Sequence, residues 1–236
     1  MKIKHIYSLI ILVFSASSIF AQNVVQQHTI DGYALEYLQV SGEQSALYYG
    51  KQQDRVPFAV NHPYLQNSQY TKARLSYNNV IYPEVMLRLD LSKDELIIFS
   101  PGNRNIVLFP ENVDVAELHG YKLIYFRGDS LSGSPSAGYY MLLHSGTCKI
   151  LKRQTATLMI DVGTTNYRYN TTTNFYLFKD DVYQTIRTKR VLLKNLEPYR
   201  KELKRFISKN HLQFRKNSDE FFIQTLDEYE KLANSQ

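Results

Sequence analysis

The chain of 236 residues contains one cysteine and no tryptophan. A single thiol forms no internal disulfide, so a stapled scaffold and a cysteine-rich zinc module are both excluded. After residue 21 no apolar run approaches the roughly 18 residues of a membrane-spanning helix. Glycine-rich phosphate loops and a G-x-S-x-G elbow are missing. Strand-helix-strand alternation is missing too, which argues against a parallel nucleotide-binding sheet. What is present is a globular balance, with 44% hydrophobic and 21% charged residues. A disordered chain lacks the apolar residues needed to offset chain entropy.

The first 21 residues read as an export signal. Lys2 and Lys4 precede a nearly unbroken apolar stretch over 6–14, and small residues (Ser15, Ala16, Ser17, Ser18, Ala21) follow. The mature chain is then expected to begin near Gln22, in the periplasm, at the outer membrane or outside the cell. No cysteine lies near the cleavage point, so a lipoprotein is not expected. The lone Cys148 suits an oxidising compartment and predicts no disulfide-linked partner.

Charge divides the rest. Residues 22–186 hold 14 basic and 15 acidic residues, whereas 187–216 hold 11 basic and only 2 acidic. Residues 217–236 hold one basic and five acidic residues. The formal net charge of +6 therefore comes from one segment. An exported protein with no nucleic-acid motif in that segment is not expected to bind nucleic acid.

The pattern predicts an α+β protein: a mainly antiparallel β meander over 22–186, curved or partly closed into a barrel, with a helical segment over 187–236 packed on or beside it. Runs rich in β-branched and aromatic residues recur between turn signals such as Asn78-Asn79, Pro101-Gly102-Asn103 and Lys179-Asp180-Asp181. Val85, Leu87 and Leu89 alternate with polar neighbours, as in a strand with one buried face. The stretches 50–70, 130–136 and 163–173 read as loops, and His144-Ser145-Gly146 as a turn. Leu192, Leu196, Tyr199, Leu203, Phe206 and Ile207 recur at helical steps, with Pro198 suited to a first turn. Asn217 and Glu220 resemble a capping pair before a last helix with Phe222, Leu226 and Tyr229 on its apolar stripe. Its acidic face is expected against the preceding basic helix.

Chemistry-bearing residues are sparse. His144, Ser145 and Cys148 lie close in sequence, and a Cys–His pair facing across a hairpin would be a nucleophile with its base. The competing reading is a polar turn residue beside a buried small hydrophobe. None of His28, His62, His119 and His144 has a histidine two or four residues away, so no metal site and no cofactor are expected. Arg200, Lys201, Lys204, Arg205 and Ser208 share a helical face, a candidate surface for anionic lipid or an acidic envelope protein.

Residues 84–109, with MLRLDLSKDELIIFSPGNRNIVLFP within them, resemble a pattern in uncharacterised secreted proteins of the Bacteroidota. Gly138–Gly146 is similar to a later hairpin of that group, and Glu202–Asn210 resembles its lysine-rich helix. The resemblance implies export and architecture, and no activity. Asp129-Ser130-Leu131 also resembles the O-glycosylation motif of those bacteria, with Ser130 the acceptor. The expectation is a non-catalytic envelope interaction or accessory module. The alternatives are an envelope hydrolase using Cys148 or a His–carboxylate pair, and a carrier of an apolar ligand.

Overall fold

The computed structural model describes residues 40–160 and 166–235, with a few isolated positions just outside those ranges. The expected signal segment and His28 lie outside the described residues.

The strands are β1 (Lys51–Gln52), β2 (Thr71–Tyr77), β3 (Val80–Asp90), β4 (Glu95–Phe99), β5 (Asn105–Val107), β6 (Val113–Leu118), β7 (Tyr121–Phe126), β8 (Gly138–Ser145), β9 (Lys149–Ile160), β10 (Tyr167–Lys179) and β11 (Val182–Thr185). All join one antiparallel sheet in the order β1-β5-β4-β3-β2-β6-β7-β8-β9-β10-β11. Two meanders are thus spliced where the chain returns from β5 to pair β6 with β2. Local chemistry sets the hairpins. Asn78-Asn79 and Asp180-Asp181 take positive φ at paired turn positions, which Asn and Asp tolerate.

The sheet is curled but open. The Ala156 N–H donates to the Leu91 carbonyl at 2.9 Å, bringing β9 against the β3–β4 turn, while β1 and β11 remain unpaired with each other. The irregular segment 50–70 spans the mouth. Leu65 N–H bonds to Leu89 at one end, and Val60 N–H to Tyr167 at the other. It is more than surface, because Leu65 is buried in the core.

Three helices follow: α1 (Lys189–Asn195), α2 (Arg200–Lys209) and α3 (Ser218–Asn234). Thr188 caps α1 by accepting from the Val191 N–H at 3.2 Å. Asn217 caps α3 by accepting from the Glu220 N–H, while its amide reaches back to the Glu220 carboxylate at 2.6 Å. The helices cover one end of the sheet. Ile150, Phe175 and Leu177 from β9 and β10 pack with Leu192, Leu203, Ile207, Phe222 and Leu226. A second cluster built on β2–β8 and closed by Ala156 and Tyr169 occupies the other end. Leu143 touches both.

Three expectations need correction. Residues 167–173 belong to the 13-residue strand β10, not to a loop. Their Thr, Tyr and Asn content hides the alternation, because several positions on both faces stay exposed. The turn between β8 and β9 falls after Ser145, not at it. The acidic face of α3 does not meet α2: Asp219, Asp227 and Glu230 point at the sheet instead.

Candidate functional site

The largest concentration of chemistry lies where α3 crosses the β8–β9 hairpin. The β8–β9 register slips between Leu142 and His144, so that His144, and not Leu143, pairs with Ile150. A bulge of this kind re-aims one side chain. Here it turns the imidazole onto the face that carries Ile150, toward α3. Cys148 sits in the turn on the same side, 1% exposed. The hairpin thus brings the two side chains within 4.8 Å of each other across the turn, although the strand partner of His144 is Ile150.

Helix α3 supplies two carboxylates one turn apart. Asp227 Oδ1 lies 3.2 Å from His144 Nδ1, and Glu230 Oε1 lies 3.4 Å from His144 Nε2. Glu230 Oε1 also accepts from the Thr147 hydroxyl at 2.7 Å and lies 4.0 Å from Cys148 Sγ. Gly146 makes this approach possible, since a Cβ there would collide with the Glu230 carboxylate and stand 3.1 Å from His144 Nε2.

Electrostatics separates the members. Burial, seconded by the Glu230 carboxylate, pushes the Cys148 thiol up to about 12. A nucleophilic thiol needs the opposite setting, with cations or helix N-termini that favour thiolate. Burial would also raise Glu230, but bonds from the Thr147 hydroxyl, His144 and the backbone N–H groups of Cys148 and Thr147 outweigh it and hold the carboxyl low.

A second polar knot joins the start of α3 to β7 and β9. Lys152, 7% exposed, stands between the two hydrophobic clusters. Its Nζ lies 2.6 Å from Asp219 Oδ2 and 3.2 Å from the Tyr121 hydroxyl, which itself donates to Asp219 at 2.6 Å. The first turn of α3 is thereby fastened to the middle of the sheet.

The basic surface lies on the outer side of the helical layer. Leu203 and Ile207 of α2 are buried, and Lys201, Lys204, Arg205 and Ser208 are exposed. Arg200 departs from the expected face: it is half-buried and paired with Glu197 at 3.5 Å. Lys209, Arg215 and Lys216 extend the exposed group, and among the described residues none of these six cations makes an ion pair. Ser130 is exposed in the β7–β8 loop, where Asp129 Oδ1 accepts from the Leu131 N–H at 3.0 Å.

The core face of the sheet carries the buried side chains of the two hydrophobic clusters. An open hollow lies outside it, between Pro57, Phe58, Leu158, Asn166 and Tyr167. Neither the family models, the curated proteins nor the solved structures yield a match to this chain.

The β8–β9 bulge and the reach of α3 are what sequence reading missed. His144 and Cys148 were visible as neighbours, but Glu230 lies 86 residues beyond His144 and carried no local signal.

Proposed function

We infer that the protein is an exported interaction module of the cell envelope, with no catalytic role, whose helical layer docks on an anionic surface. The carrying observation is the set of exposed, unpaired cations on and after α2. The apolar stripe of α2 is committed to the core through Leu203 and Ile207, so this helix cannot insert among lipid chains. Attraction is then peripheral and additive, at about 1 kcal/mol per Lys or Arg near an anionic leaflet. The thiol of Cys148, buried beside a carboxylate, lacks the activation that the thiol version of the hydrolase reading needs, whereas the contacts of His144 with Asp227 and Glu230 keep its His–carboxylate version as the alternative. The buried side chains of the two clusters occupy the core face on which the carrier reading would seat its ligand.

The test is cosedimentation with phosphatidylglycerol vesicles and with neutral phosphatidylcholine vesicles. The protein should bind the former, lose binding in high salt, and lose it in the K201Q/K204Q/R205Q variant. Equal binding by that variant, or none to either vesicle, counts against the docking surface. Capture of an acidic envelope protein that survives in lipid-free extract and needs the same three residues would place a protein on that surface.

A further inference from the structure

The geometry points to a zinc site formed by His144 Nε2, Cys148 Sγ and Glu230 Oε1, with Asp227 orienting the imidazole from behind.

These three donor atoms lie within 4.8 Å of one another. Two of their separations are 3.4 Å (N to O) and 4.0 Å (S to O). Around zinc, with bonds of about 2.0–2.3 Å, tetrahedral ligands stand about 3.3–3.6 Å apart. The imidazole and carboxylate already stand at that spacing, and the Cys148 thiol must swing inward to complete the shell.

The histidine has a carboxylate oxygen at each ring nitrogen. A neutral imidazole can donate to only one of them. If Nδ1–H faces Asp227, then Nε2 turns its lone pair toward Glu230 Oε1, and the two acceptors oppose each other. A cation between them removes that conflict. The arrangement behind the ring, carboxylate to Nδ1 and ligand from Nε2, is the one that fixes tautomer and direction in metal-bound histidines.

Two further features support a built site. The β-bulge re-aims His144. Gly146 keeps clear the space that the Glu230 carboxylate enters. The donor set selects the ion: a thiolate with an imidazole suits zinc and its borderline neighbours, whereas calcium and magnesium take oxygen ligands. Ser145, Gly146 and Thr147 are exposed, so a fourth, water-held position would open outward at the hairpin tip. Binding replaces the S–H bond of Cys148 by a sulfur–metal bond and releases that proton to solvent.

The test uses the purified chain freed of metal by chelation and titrated with zinc, and separately with cobalt(II) as a coloured substitute. Expected are one ion per chain, net proton release and a thiolate-to-cobalt charge-transfer band. Cys148→Ser should abolish the band. H144A and E230Q should each weaken affinity by at least about 100-fold, and D227N by about tenfold. Zinc should also raise the unfolding temperature of the wild type but not of H144A, a readout independent of any activity. Absence of stoichiometric binding, or wild-type affinity retained in C148S and H144A, overturns the site and leaves His144 as a side chain bridged by two carboxylates.

Discussion

Lys152 and Asp219 offer the sharpest test of how the helical layer is held. Asp219→Ala removes the carboxylate that lies 2.6 Å from Lys152 Nζ and leaves the ammonium with only the Tyr121 hydroxyl, in a position 7% exposed. Breaking one side of a buried pair typically costs about 3–5 kcal/mol, because a charge is left uncompensated. For a chain of this length each kcal/mol shifts the unfolding temperature by about 2–4 °C. Asp219→Ala should therefore lower it by about 6–20 °C in thermal circular dichroism. Lys152→Met with Asp219→Leu together should recover most of the loss, since a well-packed apolar pair often equals an ion pair in the interior. A fall under about 2 °C in the single variant, or a double variant no better than the single one, would refute the claim that this pair clamps α3.

Phe222→Ala should cost about 3–5 kcal/mol, measured by urea unfolding, because its fully buried ring stands against Phe175, Phe214 and Phe221. Ile223→Ala, one position on and 37% exposed, should stay within about 0.5 kcal/mol. For His119, burial pushes the imidazole below its usual 6.5 despite an opposing bond to the Leu65 backbone. A depressed folded value means that its contribution is full above pH 6.5 and is lost as pH falls through that lower value. His119→Asn, which suits the positive φ of 53° there, should flatten the loss of stability between neutral and mildly acid pH. Parallel pH curves for the two proteins would exclude His119 as the cause.

Much of the fold was readable where a rule acts over a few residues. The turn asparagines and aspartates marked hairpins that form as expected, and Asn217 marked the start of α3. Strand β10 was obscured because burial alternates over only part of its length: Tyr169, Phe175 and Leu177 are buried, with the Thr- and Asn-rich stretch between them exposed. The order of strands was out of reach, since pairing β2 with β6 depends on how the crossover from β5 packs. The candidate site was half visible. His144 and Cys148 share a hairpin, but their orientation depends on a one-residue bulge. Their carboxylate partners come from a helix whose acidic residues look, in sequence, like partners for the basic helix before it. The basic face was legible because charge needs no partner to be seen; only the pairing of Arg200 with Glu197 required coordinates.

An open sheet of eleven strands has two borders, and each is a place where a second copy could add a strand. One border is blunted by size, since β1 is only two residues long. The other is β11, where the Tyr183 N–H donates outward to the Ser132 carbonyl at 2.9 Å. The serine-rich loop beside Ser130 thus occupies a bond that a neighbouring molecule would otherwise take. Shortening that loop would free the border and favour end-to-end stacking of protein into fibres, while leaving both hydrophobic clusters untouched.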